Sequence, residues 1–190
     1  MGDIISAIVN GLVYGSIYAI IAQGYYITFI TTRTLNFGQG DFVMLGSLIG
    51  LTVFTTVTAS GGGVWIAFLA SLIVVIILVG LSGWALQQVA IRPLKSWHSI
   101  GWILSTVAVS MIVRNIAMLI WGREVLQAPS PFGREVLHLG LFSIRYHELF
   151  VLFGAAFLML MLYIFLKKSL FGKALEAVAF NKEAASLMGI

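Results

Sequence analysis

Two features of this sequence could do chemistry in an apolar setting. The first is the polar break Thr34-Leu-Asn-Phe-Gly-Gln-Gly-Asp41, whose candidate residues are Asn36, Phe37, Gly38, Gln39, Gly40 and Asp41. Gly24, Tyr25 and Tyr26 precede it, and Thr28, Thr31 and Thr32 add hydroxyls. Gly38 and Gly40 permit backbone conformations that other residues resist, so added bulk at either is expected to be poorly tolerated. Asp41 is predicted to cap the N-terminus of the helix that follows. Irregular polar backbone at membrane depth is tolerated only against protein or a water-lined cavity. In transporters, helix ends of this kind often hold the substrate. A plain turn between two spans is the competing reading, and composition alone leaves both open.

The second feature is Arg114, inside the apolar stretch SMIVRNIAMLIWG. An arginine at the centre of a span costs about 2.5–3.5 kcal/mol on insertion scales, so it must face the bundle, snorkel to an interface or mark a pathway. It stands eight residues from Gly122, about 12 Å of helix, within reach of snorkelling. Asn115 beside it shares either duty.

Enzymatic chemistry finds no foothold. His98, His138 and His147 fall in predicted links, none with the i, i+4 partner of a helical metal site, and there are no cysteines. No histidine lies in a span, which argues against an intramembrane serine protease. No GxxxxGK[ST] loop is present, so ATP, if used, is bound by a partner subunit. The chain is expected to carry no cofactor and no metal, and not to be an enzyme.

The elements that position these residues follow from composition. The chain has 190 residues, 60% of them hydrophobic and 9% charged, with a net charge of +4. A soluble domain carries about 25% charge and about 45–50% apolar residues. With a mean hydropathy of +1.03 the chain could not cover its surface in water. An ordinary globular enzyme, a disordered chain and a nucleic-acid module are excluded. The class is all-α, a polytopic transmembrane helix bundle in contact with membrane lipid.

Five stretches are long enough to cross a bilayer: 4–30, 41–59, 64–88, 100–121 and 149–166. The run Ser71–Val79 lacks the alternation a barrel strand needs, so helices are read throughout. The first stretch is expected to be a retained span, since it lacks the basic start and the cleavage site of a signal peptide. Residues 60–63, SGGG, form a tight turn; the link at 89–99 is basic and broken by Pro93; the longest link is 122–148.

Charge sets the orientation. One alternate set of links and tail holds Arg33, Arg92, Lys95, Lys167, Lys168, Lys173 and Lys182; the other holds Arg123, Arg134 and Arg145. The richer side is expected to be cytoplasmic, with the N-terminus outside and the C-terminus inside. Gly11 and Gly15, then Gly46 and Gly50, form GxxxG rows that favour close helix packing.

The tail, residues 167–190, begins Lys167-Lys168 and continues with strong helix formers. One helix over 172–188 is predicted, bracketed by Gly172 and Gly189, with Phe171, Leu175 and Val178 on one face. It either lies on lipid or docks a cytosolic partner.

At this point the residues resemble a known family, the branched-chain amino acid ABC permeases of the LivH type. The tail matches that family's cytoplasmic loop at Gly172, Lys173, Ala174, Ala177, Ala179, Asn181, Ala185, Gly189 and Ile190. Asn10-Gly11-Leu12, Gly15, Tyr18-Ala19 and Gly24 resemble its first span. Asn36 to Asp41 with Met44-Leu45-Gly46 resembles its NFAHGE…MLGA signature, and Arg92-Pro93-Leu94, Ser105-Thr106, Arg114-Asn115 and Gly122 also fit. Gly38-Gln39 departs from the more usual Ala-His. Related permeases for urea, other small amides or amino acids share the scaffold. The family pattern runs on into further spans after Gly189-Ile190, so the chain is expected to be an N-terminal fragment, which keeps a non-transporting fragment as an alternative.

The resemblance implies a permease subunit, residues 1–190, of a bacterial inner-membrane importer. Its partners would be ABC ATPase subunits, a second permease subunit and a periplasmic or extracellular solute-binding protein, with no nucleic acid. Gly172, Lys173, Ala174, Ala177, Asn181, Ala185 and Gly189 would belong to the ATPase-coupling helix. An ion-driven secondary transporter competes, but such proteins carry midplane carboxylates for coupling and none is expected here.

Overall fold

The structure, a computed structural model, describes residues 2–32, 34–94, 100–128, 136–138 and 143–189. Arg33, Lys95, His98, Arg134 and Ile190, which entered the charge, metal and family arguments, lie outside the described residues. In chain order the elements are α1 (Gly2–Thr32), α2 (Gln39–Ala59), α3 (Val64–Leu86) with a π-helical turn at Gln87–Ile91, and α4 (Ile100–Trp121). Then come β1 (Val136–His138), β2 (Ser143–Arg145), α5 (Tyr146–Lys168), α6 (Leu170–Phe180) and α7 (Lys182–Leu187). Among the described residues five helices are long and apolar enough to span a membrane, at Ala7–Ile30, Gln39–Ala59, Val64–Ile91, Gly101–Trp121 and Tyr146–Lys168. The helical reading holds for every span, but the last begins earlier than 149, so His147, expected in a link, lies in the first turn of α5. A short antiparallel hairpin, with Val136 opposite Arg145, is added in the longest link.

The chain divides into two units, Met1–Arg33 with Phe132–Ile190, and Thr34–Pro131. Burial in both has the pattern of a membrane bundle. Large apolar side chains such as Ile76 and Leu119 point outward, while Ser16, Ala67, Ser71, Thr106, Ser110 and Ala155 are buried. Small residues allow helices to approach where lipid gives no hydrophobic drive for association. Most of their hydroxyls are satisfied locally: Ser16 donates to the Val13 carbonyl, Ser71 to that of Phe68 and Thr106 to that of Ile103.

In the first unit α1 packs on α5 and α6. Helix α5 carries Glu148 in its first turn and Lys167 and Lys168 in its last, the polarity its dipole favours. The predicted tail helix over 172–188 is corrected to two helices. Ser169 is the N-cap of α6, and its hydroxyl accepts the Gly172 N–H at 2.9 Å. Gly172 therefore lies inside the first turn of α6 and does not bracket a helix. Asn181 leaves helical geometry at φ −152°, and its Oδ1 accepts the Ala184 N–H at 3.1 Å. An asparagine that both stops one helix and starts the next divides the tail. Gly189, at φ +79°, follows α7 in the left-handed region that suits glycine.

In the second unit the turn after α2 needs its glycines. Gly61 has φ +85°, and a β-carbon on Gly62 would stand 2.8 Å from the Val57 carbonyl oxygen. This turn folds α3 back along α2, where Gly46 and Gly50 admit Val75 and Val79. Gly11 and Gly15 have no such neighbour among the described residues, so only one GxxxG row packs a helix here. The α3 span covers 28 residues against 21 for α2, so α3 extends about 10 Å further. Its π-helical turn is closed by Arg92 N–H to the Gln87 carbonyl, just before Pro93. The Ala90 carbonyl accepts the Ser105 hydroxyl of α4 at 2.7 Å. Leu86, Ile91 and Trp102 are buried together here, with Phe42 and Val109 against them.

Candidate functional site

Helix α4 carries Trp102, Thr106, Ser110 and Arg114 at intervals of four residues, which sets them along one face. Each meets the polar break or its end. The Trp102 indole donates to the Leu35 carbonyl at 3.2 Å. A β-carbon on Gly38 would stand 3.4 Å from the Thr106 carbonyl oxygen. The Ser110 hydroxyl donates to Asp41 Oδ2. Arg114 Nε donates to Asp41 Oδ1 at 3.1 Å, and its Nη2 lies 3.0 Å from the same oxygen.

These contacts fix the level of the break against α4. From Trp102 to Ser110 is about 12 Å of helix, and Ser110 stands near the middle of the Gly101–Trp121 span. The break thus runs beside the first half of α4, in the space left by the offset of α2 along α4. It is not a turn beyond the end of that span. Asp41 does not cap α2: Gly38 is the N-cap, and no side chain caps the helix. The carboxylate, in the first turn, is turned to α4 instead. The expectation that no carboxylate lies within a span is corrected, since Asp41 lies in the first turn of the Gln39–Ala59 span, buried and paired with Arg114. Arg114 faces a carboxylate and has no need to snorkel for a partner. A buried charge is tolerated when paired and hydrogen-bonded.

The remaining break residues are ordered by local bonds. Asn36 Oδ1 accepts the Gly38 N–H at 3.0 Å, an Asx-type turn, and its carbonyl accepts the Gln39 N–H. Gly38 is buried, Gln39 half-buried, and Phe37 and Gly40 exposed. A β-carbon on Gly40 would meet nothing within 4 Å, whereas one on Gly38 would press on Asn36 Oδ1 and the Thr106 carbonyl. Thr28 and Thr32 donate back to α1 carbonyls at 3.1 and 2.7 Å. Asn115 donates to the Met111 carbonyl. The sequence argument missed Ser110 and Trp102; the four-residue spacing on α4 was the signal for them.

The tail residues do not share one face. Gly172 and Ala185 are buried, Ala174 and Ala177 half-buried, Lys173 and Asn181 exposed. Phe171 is exposed while Leu175 and Val178 are half-buried, so the expected apolar face is split. Leu170, Phe171, Phe180, Leu187 and Met188 stand open instead.

Residues 7–190 match the family described as the branched-chain amino acid transport system / permease component. The chain belongs to this family. Among curated relatives of this permease family, the Escherichia coli (strain K12) high-affinity branched-chain amino acid transport system permease protein LivH is 30% identical, over 95% of this chain and 60% of its own length. BraD of Pseudomonas aeruginosa, a protein of the same description, is 28% identical over 96% of this chain and 61% of its own. A probable branched-chain amino acid transport permease protein LivH of Methanocaldococcus jannaschii is 29% identical over 95% and 56%. The chain thus spans about three-fifths of the length of the first of these permeases. No solved structure matches it.

Proposed function

We propose that this chain belongs to the membrane-spanning permease subunit of an ABC importer that carries branched-chain amino acids, with ATP bound and hydrolysed by a partner subunit. The observation that carries the reading is the polar break held beside the first half of α4 by the pairing of buried Asp41 with Arg114, in a chain of the permease family. A simple anchor has no use for charge and irregular backbone at that depth. Asn36 to Asp41 and Arg114 line the solute path. Residues 1–190 form the N-terminal part of the permease transmembrane domain, and 167–190 the coupling segment against the ATPase.

The basic bias of the links supports an outer N-terminus and an inner C-terminus in a bacterial inner membrane. A second permease subunit and an external solute-binding protein complete the importer. Motion of the ATPase pair biases a two-state bundle through the tail. The chain performs no chemistry of its own and holds no cofactor. The test is ATP-driven uptake of radiolabelled L-leucine by the complete complex in vesicles, with urea as comparison. Leucine uptake that needs the ATPase is expected; uptake of urea alone would overturn the substrate assignment.

A further inference from the structure

We propose that the open edge of the Arg114 guanidinium binds the carboxylate of the transported solute, with Asp41 and Ser110 as positioning residues; this rests on the proposed transport function. A guanidinium has five N–H donors in a rigid plane. Asp41 takes Nε and one side of Nη2. Nη1 makes no contact with Asp41. Among the described residues Nη1 has no partner, and the arginine side chain is 54% exposed while the carboxylate that clamps it is 8% exposed. The pair turns its anion inward and its cation outward.

The open edge has the geometry for a second, bidentate carboxylate. Asp41 compensates the arginine's charge within the spans, and the first turn of α2, which has no side-chain cap, adds a partial positive charge nearby. Ser110 occupies Asp41 Oδ2, which leaves Oδ1 as the oxygen that takes both near Arg114 contacts and sets the plane of the guanidinium. Lysine could pair with Asp41 or hold the solute, but has no fixed fork to do both.

The competing role is a staple between α2 and α4. The experiment compares initial rates of ATP-driven uptake of L-leucine and L-leucinol, which lacks the carboxylate, by the complete complex with one and the same binding protein. Arg114→Lys is expected to raise the leucine KM at least about tenfold and to shrink the preference for leucine over leucinol by a similar factor. Ser110→Ala is expected to raise KM with kcat largely kept. The exchange Asp41→Arg with Arg114→Asp restores a pair of opposite charges, so co-purification of the ATPase should persist while the leucine KM stays high. A leucine KM restored by the exchange, or unchanged in Arg114→Lys, would reduce the pair to a staple and leave the proposed function standing. A wild-type complex that takes up leucinol as readily as leucine would remove the subsite without any variant. Wild-type failure to take up leucine, with uptake of solutes lacking a carboxylate, would remove both readings.

Discussion

The hydroxyl of Thr52 accepts the indole N–H of Trp121 at 2.7 Å, across the same 69-residue offset that joins Asp41 to Ser110. Equal offsets eleven residues apart mean that α2 and α4 run parallel and in register for about 16 Å. The register sets Asp41 against the middle of α4. The chain contains no cysteine, so introduced pairs report it without background. Leu35→Cys with Trp102→Cys, and Thr52→Cys with Trp121→Cys, should each cross-link with a short bifunctional thiol reagent. Leu35→Cys with Trp121→Cys should not. Cross-linking of that last pair would overturn the register.

Gly38 and Gly40 should respond differently to the same substitution. At Gly38 an added side chain presses on Asn36 Oδ1 and the Thr106 carbonyl, at 3.3 and 3.4 Å from the first carbon alone. Gly38→Leu should therefore displace the break from α4 and destabilise the protein by about 1–3 kcal/mol, whereas Gly40→Leu enters open space and should not. Thermal unfolding of the purified complex checks this; an equal loss of stability in both would argue against the packing described.

The corner between α5 and α6 depends on Gly172. A β-carbon there would overlap the Leu166 carbonyl. Gly172→Ala should open the corner, at a cost of about 1–3 kcal/mol, and Ser169→Ala should remove a cap for about 1 kcal/mol. Thermal unfolding of the purified complex should show the larger loss for Gly172→Ala, and a loss confined to Ser169→Ala would contradict the corner.

The exposed apolar groups of the tail supply a sharper probe of ATPase docking than the alanines of the family pattern. Ala185 is 4% exposed, so Trp there would disrupt the chain's own packing. Phe180→Ala and Leu187→Ala remove side chains that are each 89% exposed. Substrate-stimulated ATP hydrolysis should fall several-fold in both if each is buried by the partner, since a buried Leu or Phe contributes about 1.5–3 kcal/mol. Normal stimulation in both would favour a tail that lies on lipid.

Orientation has a direct measurement. Ser60→Cys, in the turn after α2, should react with a membrane-impermeant thiol reagent in intact cells. Glu176→Cys, exposed on α6, should react only after the membrane is opened. The reverse pattern would invert the topology derived from basic residues.

The five spans were legible in the sequence because crossing a bilayer is a local property, a run of apolar residues measured against its thickness. The turn at Ser60–Gly63 was legible for the same reason, since glycine demand is local. The family signature marked Asn36 to Asp41 and Arg114 as notable without relating them. Their relation depends on stagger. Gly46 and Gly50 seat α2 on Val75 and Val79, the longer α3 carries Ala90 to Ser105, and α4 is thereby offset from α2. That offset alone brings Asp41 to an arginine 73 residues away. Read singly, Asp41 at the head of a helix is a cap; only packing turned its carboxylate away from the N–H groups beside it. The tail followed the same division. Helix formers announced a helix, but the break at Asn181 and the burial of Ala185 came from side-chain bonds and contacts that composition does not encode.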